Sequence, residues 1–382
     1  MIFLRRLPAG AALAVLAWAL LTSSSHAQTY SSCSPLKTTT CPPDTALGMS
    51  IHVDFSQGAV NSFTATGGTP TYGPDGVTFT VAQPGDAPQL NSIFYIMFGR
   101  VELTVKAAPG AGIVTSLVLE SDVLDEIDIE WLGADPDELQ TNYFGKGQTT
   151  TYNRGQFNPA AGSQAGFITY TIDWTAERIV WSVAGTVVRT LSYADAEANK
   201  YPQTPMRVKF GAWSGGDPSN PPGTISWARG PTEYTKGPFR MVVSKLSVTD
   251  YSTGKYYKYT DQSGSWQSIS AIGGSINGNL NGAGSLTVTA SASAATSLSP
   301  SIPVGGIGNG IGKGSTTTQT GWPWAPTSAT SDDDDIPSGW AINSNGRILP
   351  IGTGVPLRPP HLALLAGPLV LGALAALVGQ WS

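Results

Sequence analysis

The sequence predicts an all-β fold, a β-sandwich of jelly-roll type, and three observations carry that prediction. Short runs rich in β-branched and aromatic residues recur between Met49 and Tyr259: Val77–Val81, Arg100–Lys106, Ile113–Glu120, Phe167–Trp174, Ile179–Val183 and Val187–Leu191. Gly, Pro, Asn and Asp punctuate these runs. Only one short segment, around Tyr193–Lys200, reads as a helix. Many strands with so little helix must bury their apolar faces against a second sheet. One connection is specific: Ala184-Gly185 between Ile179–Val183 and Thr186 has the form of a hairpin with a glycine in its tight turn.

The chain ends read as processing segments. Arg5 and Arg6 precede the short apolar run Ala11–Leu21, and Ser25-His26-Ala27 supplies small residues at a cleavage point. That is the pattern of a secretory signal peptide over residues 1–27, with an uncleaved signal anchor as the alternative. The stretch Leu362–Val378 is apolar, contains Gly367-Pro368 and is followed by no basic cluster. Residues 351–382 therefore read as a glycosylphosphatidylinositol (GPI) attachment signal rather than a single-pass helix. Residues 271–350, dominated by Gly, Ser, Thr, Ala and Asn, read as a low-complexity stalk, which leaves 28–270 as the folded domain. Secretion makes a disulfide between Cys33 and Cys41, the chain's two cysteines, the expected state. The expected location is the cell wall or the outer face of the plasma membrane.

Composition excludes some functions. The 382 residues are 12% charged with a formal net charge of −5, so no nucleic-acid partner is expected. His52 is the one histidine outside the two terminal signals, which leaves no histidine-based triad and no metal site. No cofactor is expected, and a monomer is the default.

Chemistry concentrates in Ser121–Gly133, where Glu126, Asp128 and Glu130 alternate with Ile127, Ile129 and Trp131. In a strand, alternate residues share a face, so the three acids line one side and the apolar residues pack behind. Two carboxyl groups about 5–5.5 Å apart are what a retaining glycosidase needs. Fully extended, the Cα atoms of Glu126 and Glu130 lie about 13 Å apart, so the side chains must lean together across Asp128. The pattern alone also fits an exposed edge strand or a calcium site. Aromatic and polar residues in Gly-rich or turn-rich segments are candidate sugar contacts: Tyr143, Arg154, Trp213, Asp217, Trp227 and Tyr234. Trp174 and Trp181 sit in strand patterns and read as core.

The segment Asp125-Glu-Ile-Asp-Ile-Glu-Trp-Leu-Gly133 resembles the active-site signature of glycoside hydrolase family 16. Cys33–Pro43, Asn142–Gly147, Tyr170–Trp174, Trp181–Arg189, Gly211–Asp217 and Gly223–Gly230 resemble its Crh branch, fungal cell-wall transglycosylases that link chitin to β-glucan. The resemblance spans roughly residues 28–270 and implies a concanavalin-like jelly roll. It implies Glu126 as nucleophile, Asp128 as assisting residue and Glu130 as acid/base, with Trp213 and Trp227 lining sugar subsites. Chitin and β-glucan polysaccharides are the partners it implies, with the membrane reached through the GPI anchor. Two departures are visible: no Cys-rich chitin-binding module is present, and Ala228-Arg229-Gly230 stands where Ala-Gly-Gly is expected, which places Arg229 near the cleft. Spacing does not separate a transglycosylase from a plain hydrolase. A non-catalytic glycan-binding protein is disfavoured, because a binder has no need of three crowded acids.

Overall fold

The computed structural model describes residues 31–148, 153–280 and 282, together with the short strands Thr287–Ser291, Thr316–Thr320, Trp340–Ile342 and Ile348–Pro350. The signal peptide, the GPI signal and most of the stalk lie outside the described residues. Among the described residues, fourteen strands carry the sandwich, and Thr71–Gly73, Thr287–Ser291 and Thr316–Thr320 extend one of its sheets. In chain order the fourteen are β1 (Ser50–Asp54), β2 (Phe63–Thr66), β3 (Gly76–Val81), β4 (Gln89–Ser92), β5 (Gly99–Lys106), β6 (Ile113–Ser121) and β7 (Glu126–Leu132). They continue with β8 (Glu138–Phe144), β9 (Gln156–Pro159), β10 (Ile168–Trp174), β11 (Arg178–Val183), β12 (Thr186–Ser192), β13 (Met206–Ser214) and β14 (Phe239–Asp250).

One sheet runs β9-β8-β7-β6-β13-β4-β2 and carries the functional face. The other runs β12-β11-β10-β5-β14-β1, with β3 also paired to β14. All of these pairings are antiparallel. Alternation decides which side chains enter the space between the sheets. In β5, Val101, Leu103 and Val105 are fully buried while their neighbours are not, the period-2 pattern of a sheet wet on one side. Trp131 of β7 meets Tyr170 of β10 edge-on at 4.6 Å, which locks one sheet on the other. Phe210 of β13 makes edge or tilted contacts with Phe55, Phe63 and Phe79. Trp174 and Trp181 are fully buried, as their strand patterns predict.

The hairpin between β11 and β12 turns at Ala184 (φ 49°) and Gly185 (φ 79°). Both φ values are positive, as the turn favoured between twisted strands requires. The Cys33–Cys41 disulfide is present.

Two expectations are corrected. Residues 193–200 form turns, not a helix. Ser192 donates to the Asp195 carboxylate, the Glu197 amide donates to the Tyr143 hydroxyl, and Asn199 sits at φ 62°. Each takes the backbone off a helical path. The α-helix lies instead at Pro222–Trp227, where Pro222 occupies the first turn and needs no amide partner. The folded body also continues past residue 270. Strand Ile269–Ile272 pairs with Tyr256–Tyr259, and Asn279 bonds the Asp250 and Tyr251 carbonyls with its side chain and its backbone amide. Thr287–Ser291 then adds to β1 in parallel. Composition there is stalk-like, but backbone pairing and the Asn279 amides hold it, with Ala271, Ile276 and Ala290 packed on the core.

Candidate active site

Strand β7 is held from both ends and from behind. Immediately before it, Asp125 is fully buried and accepts bonds from the Lys146 and Gln203 amides and the Thr204 hydroxyl. Behind it, Ile127, Ile129 and Trp131 are buried in the core, and the Trp181 indole donates to the Asp128 carbonyl at 3.2 Å. The opposite face therefore has one available arrangement: Glu126, Asp128 and Glu130 in a row facing outward.

Those three side chains line a cavity of about 260 Å3 with Ser116 and Glu120 of β6, Lys209 and Trp213 of β13, and Gln89 of β4. The volume is near the lower bound of roughly 300 Å3 for small-molecule sites, so it encloses a point of attack rather than a whole polymer. Gly211 floors it. A Cβ there would lie 2.4 Å from the Pro88 carbonyl, so only glycine lets β13 approach this closely.

The electrostatics push the acids apart in role. Burial, the neighbouring Glu126 charge and a weaker opposing bond to Ser116 together push the Glu130 carboxyl up to about 8. Asp128 is pushed well above the usual carboxylate range by burial first, then by the charges of Glu126 and Glu130. It shares a hydrogen bond with Glu126, and its Oδ1 is buried with no hydrogen-bond partner. A protonated Asp128 donating to Glu126 satisfies that crowding. Glu130 is thus the carboxyl placed to carry a proton, and Asp128 the one placed to share a proton with Glu126.

Aromatic rings flank the Glu130 end. The Trp213 indole donates to Ser116 at 3.1 Å, and the Trp227 indole donates to Gln140 at 3.2 Å. The two rings stack at 6.1 Å with a 24° interplanar angle. Gln140 pairs directly with Glu130 across β8 and β7, so both tryptophans are tied to the surroundings of one carboxyl. Both are partly exposed, as a surface for sugar C–H faces must be.

Other candidates fall elsewhere. Tyr143 pairs with Ile127, shares its parity and is buried in the core, and its hydroxyl accepts from the Glu197 amide. Arg154 is 5% exposed. It donates to the Tyr143 and Gln148 carbonyls and pairs with Glu197 at 2.7 Å. Neither lines the cavity: both brace the loop behind the cleft. Asp217 and Tyr234 bond each other at 2.7 Å. Asp217 also accepts from Ser219 and from Gly85, two residues before the cavity-lining Ala87. These donors hold its carboxyl at about 2. This pair staples the rim rather than lining the cavity. Arg229 sits at φ 68°, pairs with Glu138 at 2.6 Å and lies over the exposed Phe157 ring at 5.1 Å. Glu138 and Gln140 are alternate residues of β8, so Arg229 borders the same face as Glu130.

The motif reading missed Ser116, Glu120, Lys209 and Asp125. The alternation Ser116, Val118, Glu120 in β6 was available to find two of them. Lys209 is 89 residues from Glu120, and no local signal joins them.

Residues 49–229 match the Glycosyl hydrolases family 16 model. The chain is 58% identical over 368 residues to Crh-like protein 4 of Botryotinia fuckeliana, covering 96% of this chain and 97% of that one. It is 51% identical over 254 residues to Congo red hypersensitive protein 1 of Saccharomyces cerevisiae, covering 66% and 50% of the two chains. A solved structure of a Crh5 transglycosylase in complex with NAG superposes with a TM-score of 0.61 at 50% identity, over 62% of this chain and 99% of that one. The chain therefore belongs to glycosyl hydrolase family 16, among its Crh-like proteins.

Proposed function

We propose that this protein is a retaining transglycosylase that cleaves chitin and transfers it to β-glucan or chitin acceptors, crosslinking the fungal cell wall. The observation that supports it most is the carboxylate row of β7: a Glu130 carboxyl pushed up to about 8 by burial and the Glu126 charge, and Asp128 hydrogen-bonded to Glu126. In the first step a Glu126 oxygen attacks the anomeric carbon. The glycosidic C–O bond breaks, and the Glu130 proton goes to the leaving oxygen. In the second step the Glu130 carboxylate takes the proton of an acceptor hydroxyl. That oxygen bonds the anomeric carbon, and the ester to Glu126 breaks. Asp128 holds Glu126 oriented through their shared hydrogen bond. Trp213 and Trp227 offer ring faces beside Glu130, where leaving group and acceptor must pass.

The protein acts outside the cell, held by a GPI anchor after loss of residues 1–27. Removal of Leu362–Ser382 is expected to release it into the medium, whereas retention on cells despite phospholipase treatment would refute the anchor. Transfer is tested with chitin oligosaccharides and a fluorescent β-1,3- or β-1,6-glucan oligosaccharide. Longer labelled products, lost in Glu126→Gln, are expected. Shortened chitin without a label shift would make the protein a hydrolase, and no change in either would make it a binding protein.

A further inference from the structure

Glu120 stands directly beside Glu126. The two are register partners on adjacent antiparallel strands, share the cavity face and are both largely buried. Like charges directly opposite each other in a sheet destabilise it. This is a fourth carboxylate in a site that the chemistry requires to hold only two or three. Its compensation is Lys209, whose Nζ lies 2.6 Å from Glu120 Oε2, with the two side chains 16% and 9% exposed. Lys209 pairs with Val118, which pairs with Asp128, so the ammonium enters the same face two strands from the acid row. Solvent screens such a pair poorly.

We propose that Glu120 and Lys209 are positioning residues that act as one electrically neutral unit: Lys209 cancels the Glu120 charge beside Glu126, so that this fourth carboxylate leaves Glu126 the ionised carboxylate of the site. The pair acts through Glu126, not by gripping sugar, and the proposal rests on Glu126 being the nucleophile. Among the described residues, Glu126 has Asp128 and Glu130 on its own strand and Glu120 beside it on β6, and Glu120 in turn feels Lys209 and Arg207 on β13 and Asp122 just beyond the end of β6. Its β8 neighbour, Phe144, carries no charge. Removing one member of the pair therefore changes the field at Glu126 in a direction set by the member removed.

The test is the acidic limb of the kcat/KM pH profile of the full-length protein acting on chitin oligosaccharides, the limb on which the nucleophile must lose its proton. In Lys209→Met two anions are left side by side, and the limb is expected to move to higher pH by about one unit. In Glu120→Gln a lone cation is left near Glu126, and the limb is expected to move lower by a similar amount. Lys209→Met/Glu120→Gln is expected to return it to the wild-type position, and Lys209→Arg to leave it there. A limb that stays fixed in both single variants, or moves the same way in both, would overturn the proposal. So would a double variant in which the limb stays put while KM rises more than in either single, since that is the behaviour of a sugar grip. Glu126→Gln is run alongside. If it keeps full activity, the nucleophile assignment has failed. If it is inactive and the limbs do not move as signed, the nucleophile stands and the pair's role is wrong.

Discussion

Two polar clusters in this molecule share a strand pair and behave in opposite ways. On one face of β7 and β8, Glu126, Asp128 and Glu130 crowd like charges together and leave a buried carboxylate oxygen unpartnered. Behind β8, Arg154, Tyr143, Glu197 and Lys200 form a knot of matched partners: Glu197 accepts from both Arg154 and Lys200, and Arg154 also reaches two backbone carbonyls. In sequence both clusters are made of charged or aromatic residues. The difference is satisfaction. A knot whose donors and acceptors are matched stabilises the fold, whereas a row of repelling acids is retained only where chemistry uses it.

The largest expected effect that separates the two is the loss of either catalytic carboxyl. Glu126→Gln and Glu130→Gln are each expected to lower kcat by at least about 1000-fold while thermal unfolding and glycan binding stay close to wild type. Unfolding data that moved as much as activity would place the acids with the structural knot. Next is pH. Glu130 must be protonated for the first step, and its carboxyl is pushed up to about 8. Activity is therefore retained at lower pH and lost as pH rises through about 8, and a profile falling near 5 would contradict the burial argument. Arg154→Met is the converse case. It removes three bonds behind the cleft and is expected to cost about 2–3 kcal/mol in denaturant unfolding, with kcat within about threefold of wild type. A selective rise in KM would return Arg154 to the substrate contacts. The smallest effect is expected for Arg229→Gly. The variant relaxes a left-handed backbone and loses an ion pair that is exposed to solvent, so stability is expected to change by less than about 0.5 kcal/mol.

The same contrast explains what was legible. The strands were read from period-2 alternation because the sheet imposes it residue by residue, and the acids because all three sit within five residues on one strand. Tyr143 was misplaced although parity held the answer: it pairs with Ile127, a core residue, while its neighbour Asn142 pairs with Asp128. Arg154 lies in a loop, where no periodicity tells a satisfied charge from a sugar contact. Glu120 and Lys209 are joined only when β13 docks on β6, a long-range pairing that no local pattern encodes. The Tyr193–Lys200 helix failed because Tyr143, distant in sequence, takes the amide of Glu197.

Glu126 is the proposed carrier of the glycosyl group between donor and acceptor. A nitrophenyl chitooligosaccharide, whose leaving group needs no proton, incubated with Glu130→Gln, tests it by intact-mass and peptide mass spectrometry. An oligosaccharide adduct on the peptide containing Glu126 is expected, localised to that side chain and discharged by added azide, a nucleophile that needs no general base. An adduct on Asp128, or product of inverted anomeric configuration with no adduct, would contradict that role.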